Sequence, residues 1–131
     1  MMKRRTAREK ALQALFQIDM NEAKPEEAME NILQGAPVDP YLSELVHGTS
    51  KNLKEIDEII SNHLENWSVK RLAKVELNIL RLAVYELNYV QDVPANVVIN
   101  EALEISKRFA DERSSKFING VLSKIKENIN K

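Results

Sequence analysis

The residues best suited to chemistry in this 131-residue chain are the cations at its start. Lys3, Arg4, Arg5, Arg8 and Lys10 stand against a single Glu9 in residues 1–10, whereas the rest holds 14 cations against 19 anions. A basic start on an acidic body points to a polyanion, and guanidinium and ammonium groups at a helix start suit phosphate oxygens. Phosphate contacts hold a nucleic acid without reading it; reading single-stranded RNA needs unstacked bases against aromatic or guanidinium planes. Phe16 projects off the apolar face of its helix, beside Gln13 and on the side of Arg5. Two roles are open to it: a stacking platform, or packing beneath a neighbouring helix. Gln13 is either a solvated residue or an amide facing a base edge.

Arg8 projects toward the core, where a guanidinium needs a carboxylate partner. Glu76 and Glu86 both offer one from a later helix. Ten residues apart on that helix, they stand about 15 Å from each other and cannot act as a catalytic acid pair. The run Asp111-Glu112-Arg113-Ser114-Ser115-Lys116 is a second candidate anion site, with Arg113, Lys116 and hydroxyls at a helix start. Nothing points to catalysis or a cofactor. His47 and His63 are isolated, the chain has no cysteine, and no metal-ligand spacing, phosphate-binding glycine loop or nucleophile motif occurs.

Elements that hold these residues follow from periodicity and caps. Thr6-Ala7-Arg8-Glu9 fits a capping box and predicts a helix from Ala7 to about Met20, leaving residues 1–6 as a free basic arm. Further helices are predicted from Pro25, from Asp39-Pro40 (ended or bent by Gly48), and around Leu53 to Leu64. A joint at 66–68, with Trp67 as core or wedge, precedes a helix over Val69 to Val90 capped by Ser68. That helix is apolar nearly all round and belongs at the centre of a bundle. Asp92-Val93-Pro94 starts a sixth helix; after a turn at Ala110–Arg113, Ser114 or Ser115 caps a seventh in which Gly120 packs against the core. The expectation is an all-α, compact bundle of about seven helices: one domain over 1–131, with sub-bundles at roughly 1–65 and 66–131. With no membrane-spanning run and no secretory signal, a soluble cytoplasmic protein is expected.

Three ordered blocks carry a resemblance: RRTAREKALQALFQ at the front, NILRLAVYEL with DVPANVVINEALEISKRF in the middle, and KFINGVLSKI at the end. Together they resemble the NusB family of bacterial transcription antitermination factors over nearly the whole chain. The resemblance implies two helical sub-bundles, no enzymatic activity and no cofactor. It also implies binding of boxA, a single-stranded element of ribosomal RNA leaders, in company with NusE, a protein of the small ribosomal subunit. Such factors join RNA polymerase antitermination complexes, and a homodimer is a further possible state. By position it assigns Arg4, Arg5 and Arg8 to RNA. Phe16 falls where the family often has Tyr, Glu76 at an acidic position, and Arg113 and Ser114 in the turn near the RNA path. Two alternatives stand beside it: a helical domain akin to those of ribosomal RNA methyltransferases, disfavoured because no nucleotide-binding sheet follows up to Lys131, and a protein-only adaptor.

Overall fold

A computed structural model describes residues 1–65 and 68–129, so Trp67 and most of the joint around it lie outside the described residues. Among the described residues seven α-helices follow one another: α1 Arg4–Asn21, α2 Pro25–Leu33, α3 Pro40–Lys51, α4 Leu53–Asn62, α5 Lys74–Tyr89, α6 Ala95–Phe109 and α7 Glu112–Glu127. No strand occurs among the described residues, and the fold is the all-α bundle that the sequence predicts.

Helix α5 is the axis. Every residue from Leu77 to Leu87 is buried, and α1, α3, α4, α6 and α7 all pack against it. Leu80 and Val84 are fully enclosed, each contributing about 1.5–3 kcal/mol relative to exposure. Ala7, Ala11 and Ala14 are fully buried along α1. Their small side chains let α1 lie close to its neighbours.

Local signals set several helix ends as expected. Pro25 opens α2, and Pro40 opens α3 behind the cap Asp39, whose carboxylate accepts the backbone N–H groups of Tyr41 and Leu42. Burial alone would push the Asp39 carboxyl up, but those N–H groups, a third from Met2 and the nearby chain terminus outweigh it and hold it below its ordinary value.

Elsewhere the structure corrects the sequence reading. α1 begins at Arg4 rather than Ala7, with Lys3 in the cap position and no side-chain cap. Residues before Thr6 are therefore not a free arm: Met2 N–H donates to Asp39 Oδ1 at 3.0 Å, and Arg4 and Arg5 form the first turn. Residues Val69–Arg71 form a separate 3-10 turn, and α5 starts at Lys74, so neither Val69 nor a Ser68 cap opens it. Gly48 does not end α3; it lies within the helix, where Tyr85 crosses so closely that its ring occupies the space a Cβ would need. α7 begins at Glu112 under Asp111, whose carboxylate accepts Ser114 N–H at 2.8 Å, so the serines do not cap it. Gly120 is exposed, and apart from its chain neighbours and the nearby backbone of its own helix nothing would come within 4 Å of a Cβ added there. It is not a core contact.

Candidate nucleic-acid interface

The cations of α1 are distributed by helical geometry. Arg4 is 48% exposed and reaches Asp92 at 3.4 Å while lying 4.3 Å from the centre of the Tyr41 ring. Arg5, 57% exposed, binds Glu101 through two hydrogen bonds of 3.0 and 2.5 Å. The Arg5 hydrogen bond holds the Glu101 carboxyl below its ordinary value against the opposing effect of burial. Lys3 is exposed and makes no ion pair among the described residues.

Arg8 points inward. Its Nε and Nη2 donate to the two oxygens of Glu86 at 2.7 and 2.9 Å, and Nη1 reaches Glu101 at 3.3 Å. The Tyr41 hydroxyl donates to Glu86 at 2.5 Å, so α1, α3 and α5 meet on one carboxylate. Burial opposes the Arg8 charge, but the Glu86 hydrogen bonds outweigh it and the guanidinium is held more strongly protonated than usual. Of the two carboxylates on α5, the partner of Arg8 is Glu86 and not Glu76.

Further along α1, Arg5, Glu9, Gln13 and Phe16 recur at helical spacing on one face. Side chains of α6 meet them in the same order: Glu101 binds Arg5, Arg108 binds Glu9 at 2.7 Å, and Phe109 stands near Phe16. Phe16 is half-buried. It lines an apolar hollow of about 320 Å³ with Leu12, Gln13, Gln17, Ile32, Val75 and Phe109. Its ring thus packs among neighbours and also faces an open hollow, with Gln13 and Gln17 as polar groups on the wall. Arg108 lies over the Phe109 ring at 5.4 Å.

Val75 leads directly to Glu76, which accepts the Ser114 hydroxyl at 2.6 Å. This bond joins α5 to the first turn of α7 and places the α6–α7 turn beside the hollow. Arg113 and Lys116 are exposed on that turn and make no ion pair among the described residues. The candidate anion site at the start of α7 therefore lies near the hollow, whereas the one at the start of α1 lies about 16 Å along that helix from Phe16. Asp92, Glu101 and Phe109 were not legible as members of this face. The carboxylates lie 88 and 96 residues from Arg4 and Arg5, and only the packed fold brings them together. Phe109 had one signal: it recurs with Val98, Ala102 and Ile105 at helical spacing along the predicted sixth helix.

Among the described residues no group of three His, Asp or Glu side chains is arranged to hold a metal ion, and no helix is long and apolar enough to cross a membrane. Residues 5–127 match the NusB family. A transcription antitermination protein NusB from Bacillus velezensis is 55% identical over 128 residues, covering 98% of each chain. The solved structure of NusB from T. maritima is 40% identical, with a TM-score of 0.87 over 96% of this chain and 92% of that one. A crystal structure of the antitermination factors NusB and NusE with double-stranded RNA is 33% identical, with a TM-score of 0.87 over 96% and 97% of the two chains. Near-complete coverage at these identities joins the three sequence blocks into one assignment: the chain belongs to the NusB family of transcription antitermination factors.

Proposed function

We propose that this protein binds the boxA element of ribosomal RNA leader transcripts together with NusE. In that role it helps RNA polymerase read through terminators, acts in the cytoplasm and catalyses no reaction. The observation that carries this reading is its likeness, over nearly all of both chains, to a NusB that was crystallised with NusE and RNA.

The face described above fits the chemistry. Lys3, Arg4 and Arg5 stand at a helix start whose N–H groups have no side-chain cap, so phosphates meet charge, dipole and free donors together. Exposed ion pairs such as Arg4–Asp92 are worth only about 0–1 kcal/mol, and a phosphate can replace the carboxylate at little cost. Phe16 offers a ring to an unstacked base, Gln13 an amide beside it, and Arg113 and Lys116 supply cations at the far side. Ser114 and Glu76, whose hydroxyl and carboxylate are bonded to each other, hold that side in place. Arg8 acts from beneath, fixing α1 to the core. An apolar hollow suits single-stranded bases better than a closed duplex.

The test is a titration of labelled boxA RNA with the protein, with and without NusE, at several salt concentrations. Tighter binding with NusE is expected. Replacing Arg4 and Arg5 together by Ala should lower the salt slope by about 1.4, or ~0.7 per lost phosphate contact on a single strand. An unchanged affinity and slope would remove these two residues from the RNA site.

A further inference from the structure

A second basic surface lies next to this face. Lys54, Asp57, Glu58 and Ser61 of α4, Val69 and Lys70 of the 3-10 turn, and Lys74, Leu77 and Arg81 of α5 line a groove of about 490 Å³. Four cations against two carboxylates line it, in a chain whose net charge is −1.

Internal pairing accounts for only part of that charge. Arg81, almost fully buried, donates to both oxygens of Asp57 at 2.8 and 2.9 Å and lies 3.5 Å from Asp19. Lys74 also lies 3.5 Å from Asp19. This network of two cations and two carboxylates is neutral and forms the floor of the groove, so its net positive charge rests on Lys54 and Lys70 against the exposed Glu58. Lys54 and Lys70, in contrast, are exposed on its walls and form no ion pair among the described residues. Two unpaired ammonium groups facing one groove repel each other mildly, and an anion lying between them relieves that repulsion.

The groove continues the proposed RNA face. Lys74 of the groove adjoins Val75 of the apolar hollow in sequence, and Asp19, the partner of Lys74, stands one helical turn beyond Phe16 on α1. A strand leaving the hollow along this edge enters the groove that Lys74, Lys70 and Lys54 line. We infer that the groove between α4 and α5 holds the phosphate backbone of RNA flanking the segment read at the hollow. This rests on the RNA-binding reading above and extends its footprint. An acidic protein segment has the right charge too, but nothing ties it to the hollow, whereas a continuous polyanion is required to pass from one site to the next.

The experiment compares three RNAs: boxA alone, and boxA extended by unstructured uridines at its 5′ or its 3′ end. Each is titrated over a range of salt with the wild-type chain, with Lys54→Ala/Lys70→Ala and with Lys54→Arg/Lys70→Arg. One of the extended RNAs should bind more tightly than boxA alone, with a steeper salt dependence. The Ala pair should abolish that gain and lower the slope for the extended RNA by about 1.4, leaving boxA alone unaffected, and the Arg pair should retain it. If wild type binds boxA but neither extension adds affinity, the groove is not an RNA site while the RNA-binding reading stands. If an extension adds affinity that the Ala pair leaves intact, or the Ala pair instead weakens NusE binding, the assignment is equally overturned. If wild type binds no boxA, both fall.

Discussion

Arg8 and Glu86 form a two-point ion pair, 2.7 Å at the closer contact, with 5% and 2% of their side chains exposed. A charge pair this deep is costly to separate, because the remaining partner is left uncompensated away from water. Arg8→Ala should therefore lower stability by about 3–5 kcal/mol, read by chemical denaturation. Glu86→Gln, which leaves the guanidinium only its 3.3 Å contact with Glu101 but keeps the shape, should also destabilise. A simultaneous apolar replacement of both residues should recover much of the loss, and a loss equal to the sum of the single changes would show that the two do not act as a pair.

The glycines of α3 and α7 should respond in opposite directions. Gly120→Ala meets open space on an exposed helical position and should stabilise by up to about 1 kcal/mol through helix propensity. Gly48→Ala gains the same propensity but drives a methyl group into the Tyr85 ring. Tyr85 is buried and stacked on Tyr89 with 5.3 Å between ring centres, so it has little freedom to move aside. A net loss of about 1–3 kcal/mol is expected, relieved by pairing Gly48→Ala with a smaller residue at 85. Thermal denaturation of the variants checks both signs.

Acid should weaken the fold through Asp39. Its carboxyl is held below its ordinary value by the N–H groups of Met2, Leu42 and Tyr41 despite burial, so the native state favours the charged form. The corresponding stability is present above the unfolded carboxyl value of about 3.9 and is lost as pH falls through the lower native value. Asp39→Ala should destabilise by about 0.5–2 kcal/mol near neutral pH, as for a lost helix cap. It should also flatten the acid limb of stability against pH. An acid limb identical to that of wild type would show that other carboxylates set it.

Phe16 divides stacking from packing. Phe16→Ala should weaken RNA binding by about 1–3 kcal/mol, the usual worth of one base on an aromatic ring. Phe16→Tyr should bind as wild type. Phe16→Leu keeps most of the apolar contact with Leu12, Ile32 and Val75 while removing the ring, and should retain stability but not affinity. Retained affinity in Phe16→Leu would assign the residue to packing alone.

What was legible in the sequence was what adjacent residues decide among themselves. Pro25, Asp39-Pro40 and the all-round apolar run of α5 each act within one or two turns, and the structure follows them. Thr6 and Glu9 also match a local rule, yet α1 begins earlier, because partners far away in sequence hold Met2, Arg4 and Arg5. Ser114 fits the cap pattern, but its hydroxyl is taken by Glu76 across the bundle and Asp111 caps instead. Gly48 reads as a helix end only if Tyr85 is unseen. On the candidate site, residue types were legible from the start. That Arg4 and Arg5 are already paired was not, since nothing in the sequence links Asp92 and Glu101 to them.

That prior pairing shapes what α1 can select. An anion arriving at the Nε–Nη2 edge of Arg5 competes with Glu101, so the gain there is only the difference between two ion pairs. For a lone small anion this difference is close to nothing, and the resident carboxylate acts as a built-in competitor. A polymer of phosphates gains a little at each successive cation and releases condensed counterions as it does so. On the proposed RNA-binding reading, the internal carboxylates would set a threshold of length: short anions gain little, and a strand long enough to engage several cations at once is favoured.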